Sequence, residues 1–243
     1  MYIPRASAGS FGPGRNKGGG KYILIDGHPR GARTEDNMAN SIGRTRVSRM
    51  TLLAMLVAVL IVLALVNIPM PAGLSITFNM IPVAIAAMAM GFPGGAFVGG
   101  AFGLISFLQC YGICGVSGMG VALVTANPGF GFACLMFVQR FVSRVLVGVL
   151  AAAVFRGMRK TRQPLYVQGL VTGFSAAFFN TLFFMSLLVV LFGQTDYMQN
   201  QMAGRSVLAY LVASVGINAV VEMAVAALVT GAAGVALKKA KLI

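Results

Sequence analysis

From Met50 to Gln139 the chain holds no Asp, Glu, Lys or Arg, and between Pro164 and Gly204 the only charge is Asp196. A water-soluble fold must show a polar face to solvent along every element, whereas uncharged apolar stretches of about 18 residues or more are the signature of helices that cross a bilayer. Composition agrees: 58% of the residues are hydrophobic and 10% charged, against about 25% charged in an ordinary soluble domain. The expected fold is an all-α integral membrane protein with six transmembrane helices, preceded by a disordered N-terminal tail.

The formal net charge of +14 would suit nucleic acid if it formed one folded patch. Instead it flanks the apolar runs. Arg44, Arg46 and Arg49 precede the first run, Arg156, Arg159, Lys160 and Arg162 follow the middle one, and Lys238, Lys239 and Lys241 close the chain. By the positive-inside rule all three regions are cytoplasmic, so an even number of spans separates each from the next and both termini face the cytoplasm. A bacterial cytoplasmic (inner) membrane is the expected location, with no nucleic-acid partner. Cys110, Cys114 and Cys134 lie inside the apolar block with no histidine nearby, which points to neither a disulfide scaffold nor a metal site.

Residues 1–45 are rich in Gly, Arg and Pro and lack helical periodicity, so they read as a tail. Thr34, Glu35 and Asp36 can be encoded by a ribosome-binding sequence at suitable spacing before Met38, which makes Met38 a candidate start. Residues 46–243 form the membrane domain. The first span runs from about Met50 to Ile68 and stops at Pro69 and Pro71. A short second span, Met80 to about Met90, turns at Gly91, Pro93, Gly94 and Gly95 into a third that ends near Gln109. The glycine-rich stretch from Tyr111 to Pro128 has room for a short helix only. The fourth span covers about Gly131 to Phe155, the fifth Leu165 to Phe192 and the sixth Ser206 to Leu237.

Several features inside this block could carry recognition. Gly95, Gly99 and Gly103 make two overlapping G-x3-G steps that admit another helix, with packing inside the chain as the plainer use. Ala54 and Ala58 make an A-x3-A step on one face of the first span. Arg140 and Arg144 are one turn apart on the fourth span, and an arginine inside a membrane is expensive unless it is paired or reaches water. Glu222 is the one acid within any expected span. At ~1.5 Å per residue Arg144 lies ~20 Å and Glu222 ~24 Å below the outer ends of their spans, so a structural ion pair between them is expected. That leaves Arg140 for an anionic ligand group, water or a backbone carbonyl. Asn180 and Asn218 both fall at ~18 Å, near Arg140 at ~14 Å, and either bond each other or face a solute. Gly115, Val116, Ser117 and Gly118 match the G-x-S-G motif of rhomboid proteases, but the chain's one histidine is His28 in the tail, so no base is available and no catalytic residue is assigned. Nothing fits a nucleotide-binding loop, so any ATP-driven work falls to another chain.

Ile76–Pro82 (ITFNMIP), Gly91–Phe107 (GFPGGAFVGGAFGLISF), Asn127-Pro128 and Arg144–Gly148 (RVLVG), in this order over roughly Thr51 to Leu237, resemble the substrate-binding S components of energy-coupling factor (ECF) vitamin transporters. The resemblance implies a six-helix membrane subunit that performs no bond chemistry. Such a subunit captures a vitamin from outside and works with a transmembrane coupling protein and two ATPases, toppling in the bilayer to release it. Ala54 and Ala58 then correspond to the family's alanine motif that contacts the coupling protein. The ligand site falls on the first outer connection and the outer halves of the fourth to sixth helices, at Asn79, Arg140, Asn180 and Asn218. No cofactor is implied. The absence of tryptophan leaves only Phe or Tyr to stack on a large ring, and an intramembrane arginine suits a carboxylate, so pantothenate is the expected vitamin. The rival readings are an autonomous secondary transporter or channel, with Arg144 and Glu222 as its coupling pair, and a membrane scaffold without a ligand.

Overall fold

The computed structural model describes the backbone of residues 24–25, 28–66, 68–69, 75–202, 207–240 and 242. Side chains are described from residue 47 onward, except 67–76, 197, 201–215, 217–218, 241 and 243. The chain divides into two units, Met1–Val47 and Ser48–Ile243. In the first unit, β1 (Leu24–Ile25) pairs antiparallel with β2 (His28–Pro29). Helix α1 (Arg30–Leu65) starts directly after Pro29, well ahead of the expected start of the first span. Residues 30–46 contain no proline, and a proline at a helix start loses no hydrogen bond, so helix propagates through sequence that has no apolar period.

Among the described residues of the second unit, the regular structure is helical apart from a two-residue ladder, β3 (Ile68–Pro69) with β4 (Ser75–Ile76), in the first connection. It holds the rest of α1, then α2 (Met80–Leu108), α3 (Gly118–Ala126), α4 (Phe130–Lys160), α5 (Leu165–Phe192), α6 (Asp196–Met202) and α7 (Val207–Lys239). Among the described residues, five helical stretches are long and apolar enough to cross a membrane. The short helix expected between Tyr111 and Pro128 is α3. Another, α6, lies in the loop before α7.

The second and third expected spans form one element, α2, broken at Gly91 (φ 66°, ψ −146°). This backbone conformation is open essentially to glycine alone. Pro93 follows within the first turn of the second half, where its missing N–H costs little. The break reverses the chain: Gly94 approaches the carbonyl of Ala86 and Gly95 the side chain of Ala87. Gly91 consequently shares one end of the unit with Arg49, Arg156 and Arg159. At the other end Gln109 Nε2 donates to the carbonyl of Ala64 at 2.8 Å. A Cβ at Gly91 would meet nothing within 4 Å, so Gly91→Ala is expected to cost only the backbone strain, about 1–3 kcal/mol. Thermal unfolding in detergent reads that loss.

Two glycine ladders hold the helices together. Gly95, Gly99 and Gly103 of α2 face Gly148, Arg144 and Phe141 of α4, close enough that side chains there would strike backbone. The ladder therefore serves packing within the chain. Gly169 and Gly173 of α5 do the same against Thr230 and Ala226 of α7. Helix α1 is attached more loosely. Leu56, Leu60 and Ala64 are buried in one core with residues of α2, α4 and α5, while Ala54 and Ala58 are exposed on the opposite face beside Val62 and Leu65.

Candidate functional site

At the end of the unit remote from Arg49 and Arg156, α2, α3, α4 and α5 bring polar groups together in an otherwise apolar interior. Helix α4 contributes most, because its face toward α2 and α5 carries Gln139, Arg140, Ser143 and Arg144, all buried. Gly103 of α2 has no side chain to fill the space beside Arg140 and Phe141, and Gly120 of α3 leaves room for the guanidinium end of Arg140.

The Arg140 guanidinium donates to Ser106 Oγ of α2 at 3.3 Å and to Ser117 Oγ, just before α3, at 3.4 Å. It also stacks over the Phe184 ring of α5, 4.8 Å from the centroid. Arg144 lies 4.9 Å from the same ring and 4.6 Å from that of Phe102. Aromatic faces stabilise a desolvated guanidinium by about 2 kcal/mol each, but they accept no conventional hydrogen bond. Arg140 Nε, Arg144 Nε and Arg144 Nη1 are buried with no partner. Leaving such charged donors unsatisfied is costly in a low-dielectric interior.

Glu222 of α7 lies in the field of Arg144, yet no ion pair within 4 Å joins them among the described residues. Its Oε1 instead accepts a hydrogen bond from Thr77 Oγ1 at 3.3 Å. Equal depth in the membrane, all that residue counting supplies, brings two groups to one layer without bringing their atoms into contact. The local charge is thus two buried guanidiniums against one carboxylate.

Asn79 stands immediately before α2, two residues beyond Thr77, and its side chain makes no capping hydrogen bond. It is 1% exposed, and neither its Oδ1 nor its Nδ2 has a partner. Asn180 sits one turn before Phe184 on α5, buried, with Oδ1 unpartnered. The side chain of Asn218 lies outside the described residues, and with it the choice between a bond to Asn180 and contact with a solute. Ala54 and Ala58 are remote from this cluster in kind, being exposed and apolar.

Sequence reasoning missed Ser106, Phe102, Phe184 and Thr77. It met Ser117 only as the serine of a protease-like motif, whereas that hydroxyl serves Arg140. Gln139 was missed as well: its Nε2 donates to the carbonyl of Phe184 at 3.2 Å, and its Oε1 has no partner. The spacing of Gln139, Arg140, Ser143 and Arg144 does place them on one helical face, which was a readable signal.

No curated protein matches the chain. A family model, ECF transporter, substrate-specific component, matches residues 48–232, which is nearly the whole of the second unit. The members of that family are transport subunits of the membrane, without enzymatic activity, that associate with an ECF module of T component and ATPases. That match covers most of the chain, and this protein is a member of the ECF transporter substrate-specific components.

Proposed function

We propose that this subunit captures a small organic anion from outside the cell, with pantothenate as the best candidate vitamin, for ATP-driven uptake by partner subunits. The observation that carries the reading is the uncompensated buried cation: two guanidiniums, one carboxylate, and three guanidinium nitrogens with no partner. A ligand carboxylate would supply both the missing charge and the missing acceptors. Arg144 has the more available donors, since Arg140 is already engaged by Ser106 and Ser117. We therefore assign the carboxylate to Arg144. Arg140 adds its field and the polar atoms of Asn79, Asn180 and Asn218 meet the rest of the solute.

In this proposal the chain crosses the inner membrane six times, with α2 counting twice through its reversal at Gly91 and both termini in the cytoplasm. The first half of α2 spans only ~16 Å, so it enters from the outer connection as a short crossing. The exposed Ala54 and Ala58 face of α1 meets the coupling protein, which is joined by two ATPases. Mass spectrometry of the ligand retained by gently purified protein tests the solute, and an uncharged native ligand would sink the anion reading.

Two variants test the parts separately. Ala54→Leu is expected to leave ligand affinity unchanged while lowering copurification of the coupling protein at least about tenfold, the effect of ~1.4 kcal/mol at an interface. Glu222→Gln removes the anion that competes for the Arg144 field, so it is expected to tighten binding of an anionic solute several-fold. A Glu222 that coupled uptake to ions would instead lose transport on the same change, in vesicles holding this chain without ATPases.

A further inference from the structure

At the basic end of the unit, far from the solute site, Arg49 midway along α1, the last turns of α4 and Leu242 near the end of the chain surround a pocket of ~370 Å³ beneath the reversal of α2. Three exposed arginines, Arg49, Arg156 and Arg159, stand around it, and no Asp or Glu lines it. Arg156 is held over Phe92 at 5.9 Å from the ring centroid, so its position is partly set by the turn itself. The floor is apolar: Met88 is 3% and Phe155 4% exposed, and both pack with Leu237 and Leu242. Gly91, the hinge of α2, forms part of the wall.

Three guanidiniums around one opening exceed what a single carboxylate can take up. A phosphodiester offers several oxygen acceptors, and forked guanidinium donors suit it. The buried apolar floor in turn suits the glycerol backbone and the first acyl carbons of a lipid, which a free anion or an acidic peptide would leave unused. Basic pockets between helices at the cytoplasmic surface are where anionic headgroups bind. We propose that this pocket seats the phosphate of an anionic phospholipid of the inner leaflet, and that the bound headgroup braces the α2 reversal. The proposed topology names the leaflet only; binding at the pocket can be measured whichever way the chain faces.

The test uses the full chain in phosphatidylcholine nanodiscs with phosphatidylglycerol as the probe, read by native mass spectrometry of lipid retained after release. The wild type is expected to retain phosphatidylglycerol over phosphatidylcholine by at least about tenfold. R49Q/R156Q/R159Q is expected to abolish the preference, R49K/R156K/R159K to keep part of it, and K238Q/K239Q to keep all of it. Unfolding temperatures within the wild-type range for the glutamine variant establish that it folds; if they fall, the lysine and Lys238/Lys239 variants carry the comparison. A preference that survives the arginine changes would overturn the site. Equal loss in K238Q/K239Q would reduce it to diffuse surface charge and overturn it too. Displacement of the lipid by inorganic phosphate alone would make it a soluble-anion site, against the lipid assignment.

Discussion

Replacing Arg144 by alanine is expected to weaken binding of a carboxylate-bearing solute at least about hundredfold, while changing the affinity of its neutral alcohol analogue less than about threefold. The asymmetry follows from the electrostatics of the site. In the wild type, Arg144 Nε and Nη1 are buried and unpartnered, so a carboxylate satisfies donors that nothing else reaches. A neutral analogue of the same shape gains the amide contacts but leaves those donors and their charge uncompensated. Arg140→Ala is expected to be milder, about tenfold, because its guanidinium hydrogen bonds end on Ser106 and Ser117 and its contribution to the ligand is mainly field. Isothermal titration of both variants with the acid and the alcohol reads all four values. Equal losses for acid and alcohol in the Arg144 variant would mean that the residue supports the fold and not the ligand.

This ordering of the two arginines was not legible in the sequence. The i, i+4 spacing put Arg140 and Arg144 on one face, and depth along the spans put Glu222 near Arg144. Both inferences concern layers about one helical turn thick. Hydrogen bonds are decided at a scale several times finer, by rotamers and by residues distant in the chain. Ser106 and Ser117 take up Arg140 from 34 and 23 positions away, and Thr77 takes up Glu222 from 145 away. Single serines and threonines among apolar residues give no pattern to read.

Other elements were legible because a local rule sufficed. The ends of α5 fall at Leu165 and Phe192 as its apolar run implies, since Pro164 precedes it and Gly193 and Gln194 end the run. The turn of α2 was announced by Gly91, Pro93, Gly94 and Gly95, and the non-helical backbone between its two halves falls at Gly91. The helical backbone of residues 30–46 had no such signal, because an amphipathic period was absent. Gly169 and Gly173 share the G-x3-G spacing of the α2 ladder, yet spacing alone does not say which of many small-residue pairs finds a partner.

The α2 ladder itself supports the largest structural effect expected in this chain. Gly148→Ala should cost at least about 3 kcal/mol, more than overpacking of a flexible core, because the added methyl meets the carbonyl of Gly95 and not the movable end of a side chain. Gly95→Ala meets the carbonyl of Gly148 reciprocally. Gly157→Ala on the same helix, where a Cβ meets nothing within 4 Å, is expected to be neutral or slightly stabilising through helix propensity. Thermal unfolding in one detergent compares the three. The double variant separates a shared contact from two independent ones. Both methyls force α2 and α4 apart at a single crossing, so once the first has opened it the second adds little, and the double should cost clearly less than the sum of the singles. The same opening must displace Arg144, whose carbonyl lies against Gly99 one turn along. Gly148→Ala is therefore expected to weaken anion binding as well as stability, although it touches no polar group of the site.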